Sequence, residues 1–145
     1  LIEQAGMQIV FTGIAEEREL VERVRAGMRH PSVSLAGKTD LRELAPLIRM
    51  SDLVLTNNTG PAHVAAAVGT PVVVLFALTN PPQQWRPWTT LHRLLYRAVE
   101  CAICYSRTCL YHQECLDISP HEIVAAAADL LATRNDAPER TEVRC

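Results

Sequence analysis

Lysine is nearly absent from the chain: Lys38 is the only one among fourteen basic residues, which reads as codon usage rather than chemistry. Sixteen acidic residues bring the formal net charge to -2. That balance excludes a polybasic surface, so neither nucleic acid nor an anionic membrane is the expected main partner. No apolar run approaches the ~20 residues of a spanning helix, and no transmembrane segment is expected. Leu1 to Val10 lacks a basic start and a cleavage site, which reads against a signal peptide. An internal repeat is also missing, which excludes a solenoid. What remains is a chain of 145 residues with 48% hydrophobic and 21% charged side chains, enough for one domain with a real core.

Strand and helix patterns alternate. Gln8 to Phe11 reads as a short strand closed by Thr12-Gly13, and Leu20, Val21, Val24 and Met28 then share one helical face. Pro31 stops that helix before a second strand at Val33 to Leu35. Asp40 with Glu43 fits a capping box for a helix carrying Leu41, Leu44, Leu47 and Ile48. Pro46 fits badly inside it, since an interior proline costs about 3 kcal/mol; a kink or a later start is expected. Leu91 to Val99 is a further candidate strand. Ser119-Pro-His-Glu122 is a second capping box, ahead of Ile123, Val124, Ala127, Leu130 and Leu131. Such alternation predicts an α/β fold with a doubly wound parallel sheet.

The richest stretch runs from Ser51 to Phe76. Leu53 to Leu55 is a buried strand that stops at Thr56, and Val72 to Phe76 is a second, β-branched run suited to cover on both faces. Between them, Pro61 sits in a first helical turn, where its missing N–H has no intrahelical partner anyway. Gly69 ends that helix after barely two turns. Amides near Thr59 and Gly60 therefore point out of the carboxyl edge of a sheet, where the helix dipole favours an anion such as a phosphate or diphosphate. Two more strand ends, Thr12-Gly13 and Gly37-Lys38-Thr39, belong to the same edge. By spacing alone, Gly60, Pro61 and Gly69 can equally be pure turn-formers, and His63 a structural histidine.

Asn58-Thr-Gly-Pro-Ala-His63, with Gly69, Pro71 and the valine run, resembles the signature of glycosyltransferase family 9, the heptosyltransferases. The likeness extends through Leu35 to Leu41, Pro81 to Pro87 and Cys115 to Pro120, spanning roughly Gln8 to Leu131. It implies a Rossmann-like carboxyl-terminal lobe of a two-lobed GT-B enzyme, with residues 1–132 forming a nucleotide-sugar-binding domain and 133–145 a flexible tail. The chain begins without Met, and the expectation is a fragment whose first strand and acceptor lobe are missing. The resemblance implies an inverting transfer of a sugar from an ADP-heptose-like donor to a lipopolysaccharide core acceptor. That points to the cytoplasm, at or near the inner face of the inner membrane. Thr59 and Gly60 match positions that hold the diphosphate, His63 the motif histidine, and Glu16 or Glu17 an acidic residue that binds ribose. Gly13 borders the same edge, and Lys38 and Thr39 fall where the family's backbone meets the base. No cofactor is implied for catalysis, and the general base is expected on the missing lobe.

Two positions leave the family's pattern. Asn58 stands where an aspartate is usual, which removes a charge while keeping an acceptor oxygen. Phe76-Ala-Leu-Thr79 replaces a Phe-Gly-Pro-Thr run, so Ala77 is strained if that backbone needs a positive φ. The spacing Cys101-x2-Cys104-x4-Cys109-x5-Cys115, with His112 inside, fits either a structural zinc site or four reduced thiols; in a chain without secretory features it disfavours disulfides. Two other readings stay open: a non-catalytic nucleotide-binding homologue, favoured by Asn58, and a zinc-stabilised interaction module, favoured by the cysteines. Trp85 and Trp88 can face a sugar or acceptor, or pack under their loop.

Overall fold

The computed structural model describes residues 3, 6–106 and 108–135. Its centre is strand β4, Val72–Leu75, which pairs in parallel with β3, Val54–Asn57, on one side and β5, His92–Leu95, on the other. Val72, Val74 and Phe76 point to one face and Val73 to the other, and all four are completely buried. A strand covered on both sides needs helices on both sides. Helices α2, Leu41–Met50, and α3, Gly60–Val68, cover one face through Ile48, Ala62 and Ala65. Helix α5, Pro120–Asn135, covers the other through Ala127 and Leu130. The small alanines of α3 let its backbone lie close to the sheet.

Buried Thr70 ties these layers. Its hydroxyl donates to the Ile48 carbonyl at 2.8 Å, its amide to Ala65 O at 2.9 Å, and its own carbonyl accepts from the Thr90 hydroxyl at 3.1 Å. A second parallel ladder joins β1, Val10–Phe11, to β2, Val33–Ser34. Helix α1, Arg18–Ala26, lies between them in sequence, after a 3-10 turn at Ala15–Glu17. The single sheet of the expectation is thus drawn as two ladders, β1-β2 and β3-β4-β5. On α1 only Val21 is buried, whereas Leu20 and Val24 are exposed; Met28, expected on the same face, lies past the end of the helix and is half-buried.

Three expectations shift. Helix α2 starts at Leu41 and runs through Pro46, because Asp40 Oδ1 accepts from Arg42 N and Glu43 N at 2.8 and 2.9 Å while Glu43 returns a bond to Asp40 N. Capping and the burial of Ile48 outweigh the proline. The strand expected over Leu91 to Val99 is confined to His92–Leu95. Thr133 to Asn135 are helical rather than tail, since Arg134 reaches back to Asp52 and Ser51 O; residues 136–145 lie outside the described ones.

The amino end of α5 is held by charge. Glu122 accepts from Ser119 N and Ser119 Oγ and receives the Arg97 guanidinium at 2.6 Å. Arg97 first, and Ser119 second, bring its carboxyl from 4.5 down to about 2. A depressed carboxyl contributes stability that is complete above its unfolded value and is lost as pH falls through the folded one. The melting temperature should therefore fall between pH 4.5 and about 2, and Glu122→Gln should flatten part of that fall in a thermal melt series.

Gly37 and Gly13 give a second prediction. Gly37 has φ +66°, and a Cβ there would meet Ala15 Cα at 2.8 Å, a backbone atom that cannot yield. At Gly13 the obstacle is the mobile Glu17 carboxylate, 2.6 Å away. Gly37→Ala should cost about 1–3 kcal/mol, and Gly13→Ala below about 1 kcal/mol, as read by chemical denaturation.

Candidate functional site

Strand β3 ends at Asn57, and after two intervening residues α3 begins at Gly60. Asn58 N donates to Leu75 O at 3.2 Å, which seats the turn on β4, and Thr59 N donates to Asn57 O at 2.8 Å. The Thr59 amide is therefore consumed by the turn, contrary to the expectation that it stays free. Gly60 N has no acceptor among the described residues, and Pro61 has no N–H to offer. Thr59 occupies the N-cap position, yet its hydroxyl does not cap the helix; it lies 3.5 Å from Thr56 Oγ1 and 3.4 Å from Asn57 O. The helix start presents one free amide, at Gly60, and beside it a Thr59 hydroxyl turned to Asn57 O rather than to the helix; both residues are exposed. Gly69 closes the helix in the left-handed region at φ 74°, donating to Ala65 O and Ala66 O.

His63 lies one turn into α3 and is exposed. Its ring meets Trp85 edge to face, with centroids 6.4 Å apart and planes at 62°. Trp85 is the last residue of the single-turn helix α4, Pro82–Trp85. Asn58, in the turn before α3, is half-buried.

The other predicted residues gather at the end of the β1-β2 ladder. Gly37 N donates to Gly13 O at 2.8 Å, bringing the two strand ends together. Glu17 accepts from Ile14 N at 2.9 Å and is spent on closing the 3-10 turn. Glu16 is exposed and makes no hydrogen bond among the described residues, so it is the freer of the two acids for a ligand. Lys38 Nζ reaches back to Ser34 O at 3.3 Å, and Thr39 is half-buried just before the α2 cap. Arg18 is the residue that sequence reasoning misses. Its guanidinium donates to Ala36 O at 3.4 Å and lies 2.8 Å from where a Gly37 Cβ would stand. No spacing signal marks it, because the contact is made eighteen residues away in the chain.

The profile of glycosyltransferase family 9 (heptosyltransferase) matches residues 1–114. The chain belongs to this family. Lipooligosaccharide heptosyltransferase 2 of Haemophilus influenzae is 32% identical over 135 residues, which is 88% of this chain and 38% of that protein. The lipopolysaccharide core heptosyltransferase OpsX of the same species is 41% identical over 80 residues, 54% of this chain and 23% of the relative. Among solved structures, the Escherichia coli ADP-heptose lps heptosyltransferase II superposes with a TM-score of 0.74 at 26% identity, covering 88% of this chain and 37% of that one. A glycosyl transferase family 9 structure from Veillonella parvula gives 0.72 at 25%, with the same shares covered. The chain thus spans less than two fifths of the length of these heptosyltransferases. The α/β fold with parallel sheets agrees with theirs. Ala77 is not among the residues with positive φ, so the family's glycine can be replaced here without strain.

Of the two readings of the cysteine spacing, the shared metal cluster does not assemble among the described residues. Cys101, Cys104 and Cys109 are exposed and Cys115 is half-buried, all as free thiols. Among the described residues no three His, Cys, Asp or Glu side chains gather where they could hold a metal ion. Cys104 N donates to Leu78 O, while Cys115 packs against the core and its carbonyl accepts from Arg97 N. The residues present do not fit zinc. With native protein under reducing-agent-free buffer, maleimide should label Cys101, Cys104 and Cys109 quickly and Cys115 more slowly; peptide mapping of the labelled sites checks this. Resistance of the first three would restore a disulfide or metal reading.

Proposed function

We propose that this chain is the donor-binding half of an inverting glycosyltransferase that moves a sugar, heptose from ADP-heptose, onto a lipopolysaccharide core acceptor. The observation that carries the proposal is the start of α3, where the Gly60 amide lacks an acceptor and the Thr59 hydroxyl is uncapped, in a member of a heptosyltransferase family. An amide and a hydroxyl at the positive end of a helix suit a diphosphate. Glu16 suits the ribose hydroxyls, and the Lys38-Thr39 turn suits the base. As the acceptor hydroxyl attacks the anomeric carbon, the bond to the diphosphate breaks and negative charge gathers on the departing oxygen. Fixed donors at Gly60, Thr59 and His63 stabilise that charge more than they stabilise the bound donor, which lowers the barrier. The base that takes the acceptor proton belongs to a part of the enzyme outside this chain. Among the described residues no helix is long and apolar enough to cross a membrane; work at the cytoplasmic face of the inner membrane follows from the proposed substrates.

ADP at a hundred times its dissociation constant should stabilise the full-length protein by about 2.7 kcal/mol, a shift of about 5–10 °C for a domain of this size. UDP and GDP should shift it less. A flat thermal-shift titration with all three nucleotides, on protein that melts cooperatively, sinks the proposal.

Asn58 supports a second reading, in which the nucleotide still binds but transfer is lost. Asn58→Asp separates the two. A carboxylate accepts two strong bonds from sugar hydroxyls, each worth roughly 1.5–3 kcal/mol against about 1 for a neutral pair. The variant should change transfer rate or sugar preference by about tenfold while leaving the melt intact. Identical rates across several nucleotide sugars mean that Asn58 does not touch the sugar. Activity in the variant alone identifies the natural chain as the non-catalytic homologue.

A further inference from the structure

We infer that Trp85 is a specificity residue that stacks on the transferred sugar ring of the donor, an inference that rests on the nucleotide-sugar reading above. The indole is held out on a rigid frame. Gln84 N and Trp85 N both donate to Pro81 O, at 3.1 and 3.2 Å, and Arg86 N donates to Pro82 O at 2.9 Å. Pro82 and Pro87, on either side, are buried. The backbone around Trp85 is thus pinned, yet 48% of the residue is exposed. Its one aromatic neighbour is His63, on the helix whose first amide is free. The indole therefore stands beside the place assigned to the diphosphate.

A diphosphate carries the nucleoside at one end and the sugar at the other. The β1-β2 strand ends, with Glu16, Lys38 and Thr39, take the nucleoside in this reading, so the sugar is the group left for the α3 side. A pyranose ring has a face of C–H groups with weak positive character, which the negative face of an indole attracts. A fixed indole also gives up little conformational freedom on binding. Trp88, in the same loop, is the natural contrast. It is 58% exposed, but the Arg86 guanidinium sits 5.0 Å from its ring centroid and it has no contact with His63.

The test titrates ADP and ADP-heptose by calorimetry into the full-length protein, as wild type, Trp85→Ala, Trp85→Leu and Trp88→Ala. Both Trp85 variants should weaken ADP-heptose by about three- to tenfold and leave ADP unchanged, while Trp88→Ala alters neither. Leucine keeps the bulk without the π face, and it decides the matter if the alanine variant does not fold. Equal losses for ADP and ADP-heptose would mean that the indole covers the nucleoside, and no loss that it touches no donor; either overturns the inference. If wild-type protein binds neither compound, the nucleotide-sugar reading itself has failed. If wild type binds both and only the Trp85 result is wrong, that reading stands and the sugar platform falls.

Discussion

Everything in this structure depends on one strand having no face of its own to show to water. Val72, Val73, Val74 and Phe76 are fully buried, each worth roughly 1.5–3 kcal/mol when removed from water. That gain exists only while α2 and α3 lie on one side and α5 on the other. Parallel pairing on both edges of β4 needs a crossover each time, which α3 makes between β3 and β4 and the loop with the single-turn α4 makes between β4 and β5. Thr70 satisfies the one buried polar residue at the strand's start and joins the ends of α2 and α3 while doing so.

The site is a by-product of that arrangement. Once β3 lies beside β4 and α3 must return over the same face, the Asn58-Thr59 turn has to emerge at the carboxyl edge. Leu75 O anchors it through Asn58 N, and the helix dipole faces whatever lies beyond. The loop after β4 leaves from the same edge and carries Trp85 back to His63. This edge suits a ligand because backbone groups there, such as the Gly60 amide, have no strand or helix left to pair with.

Charge is used locally rather than as a field. The caps of α2 and α5 each spend an acidic side chain on amides at a helix start, Asp40 and Glu43 in one, Glu122 in the other. Glu122 also clasps Arg97, which follows β5, and so fixes α5 to the sheet. At the start of α3 no such side chain intervenes, since the Thr59 hydroxyl turns to Asn57 O instead of the helix amides.

The features written in short-range chemistry were legible in the sequence. Both capping boxes, the Gly60-Pro61 helix start, the Gly69 stop and the two-faced valine strand depend on residues within four positions of one another, so their partners stand beside them in the chain. Whatever depends on distant partners was not legible. Pro46 stays helical because the α2 cap and Ile48 burial outweigh it, and Thr133 to Asn135 are held by Arg134 reaching Asp52. Glu16 is left free only because Glu17 closes on Ile14, and the Thr59 amide is spent on a turn whose shape β4 imposes. The cysteine spacing left a shared ion and four reduced thiols both open, and only the fold shows that no three metal-ligating side chains gather among the described residues. The chain determined by itself where the Asp40, Gly60 and Ser119 helix starts fall, where Gly69 stops α3 and which strand is buried on both faces, because those are set by local backbone hydrogen bonds and side-chain period. Only the tertiary structure decided which polar groups are already paired, since a group's availability depends on what folding brings against it.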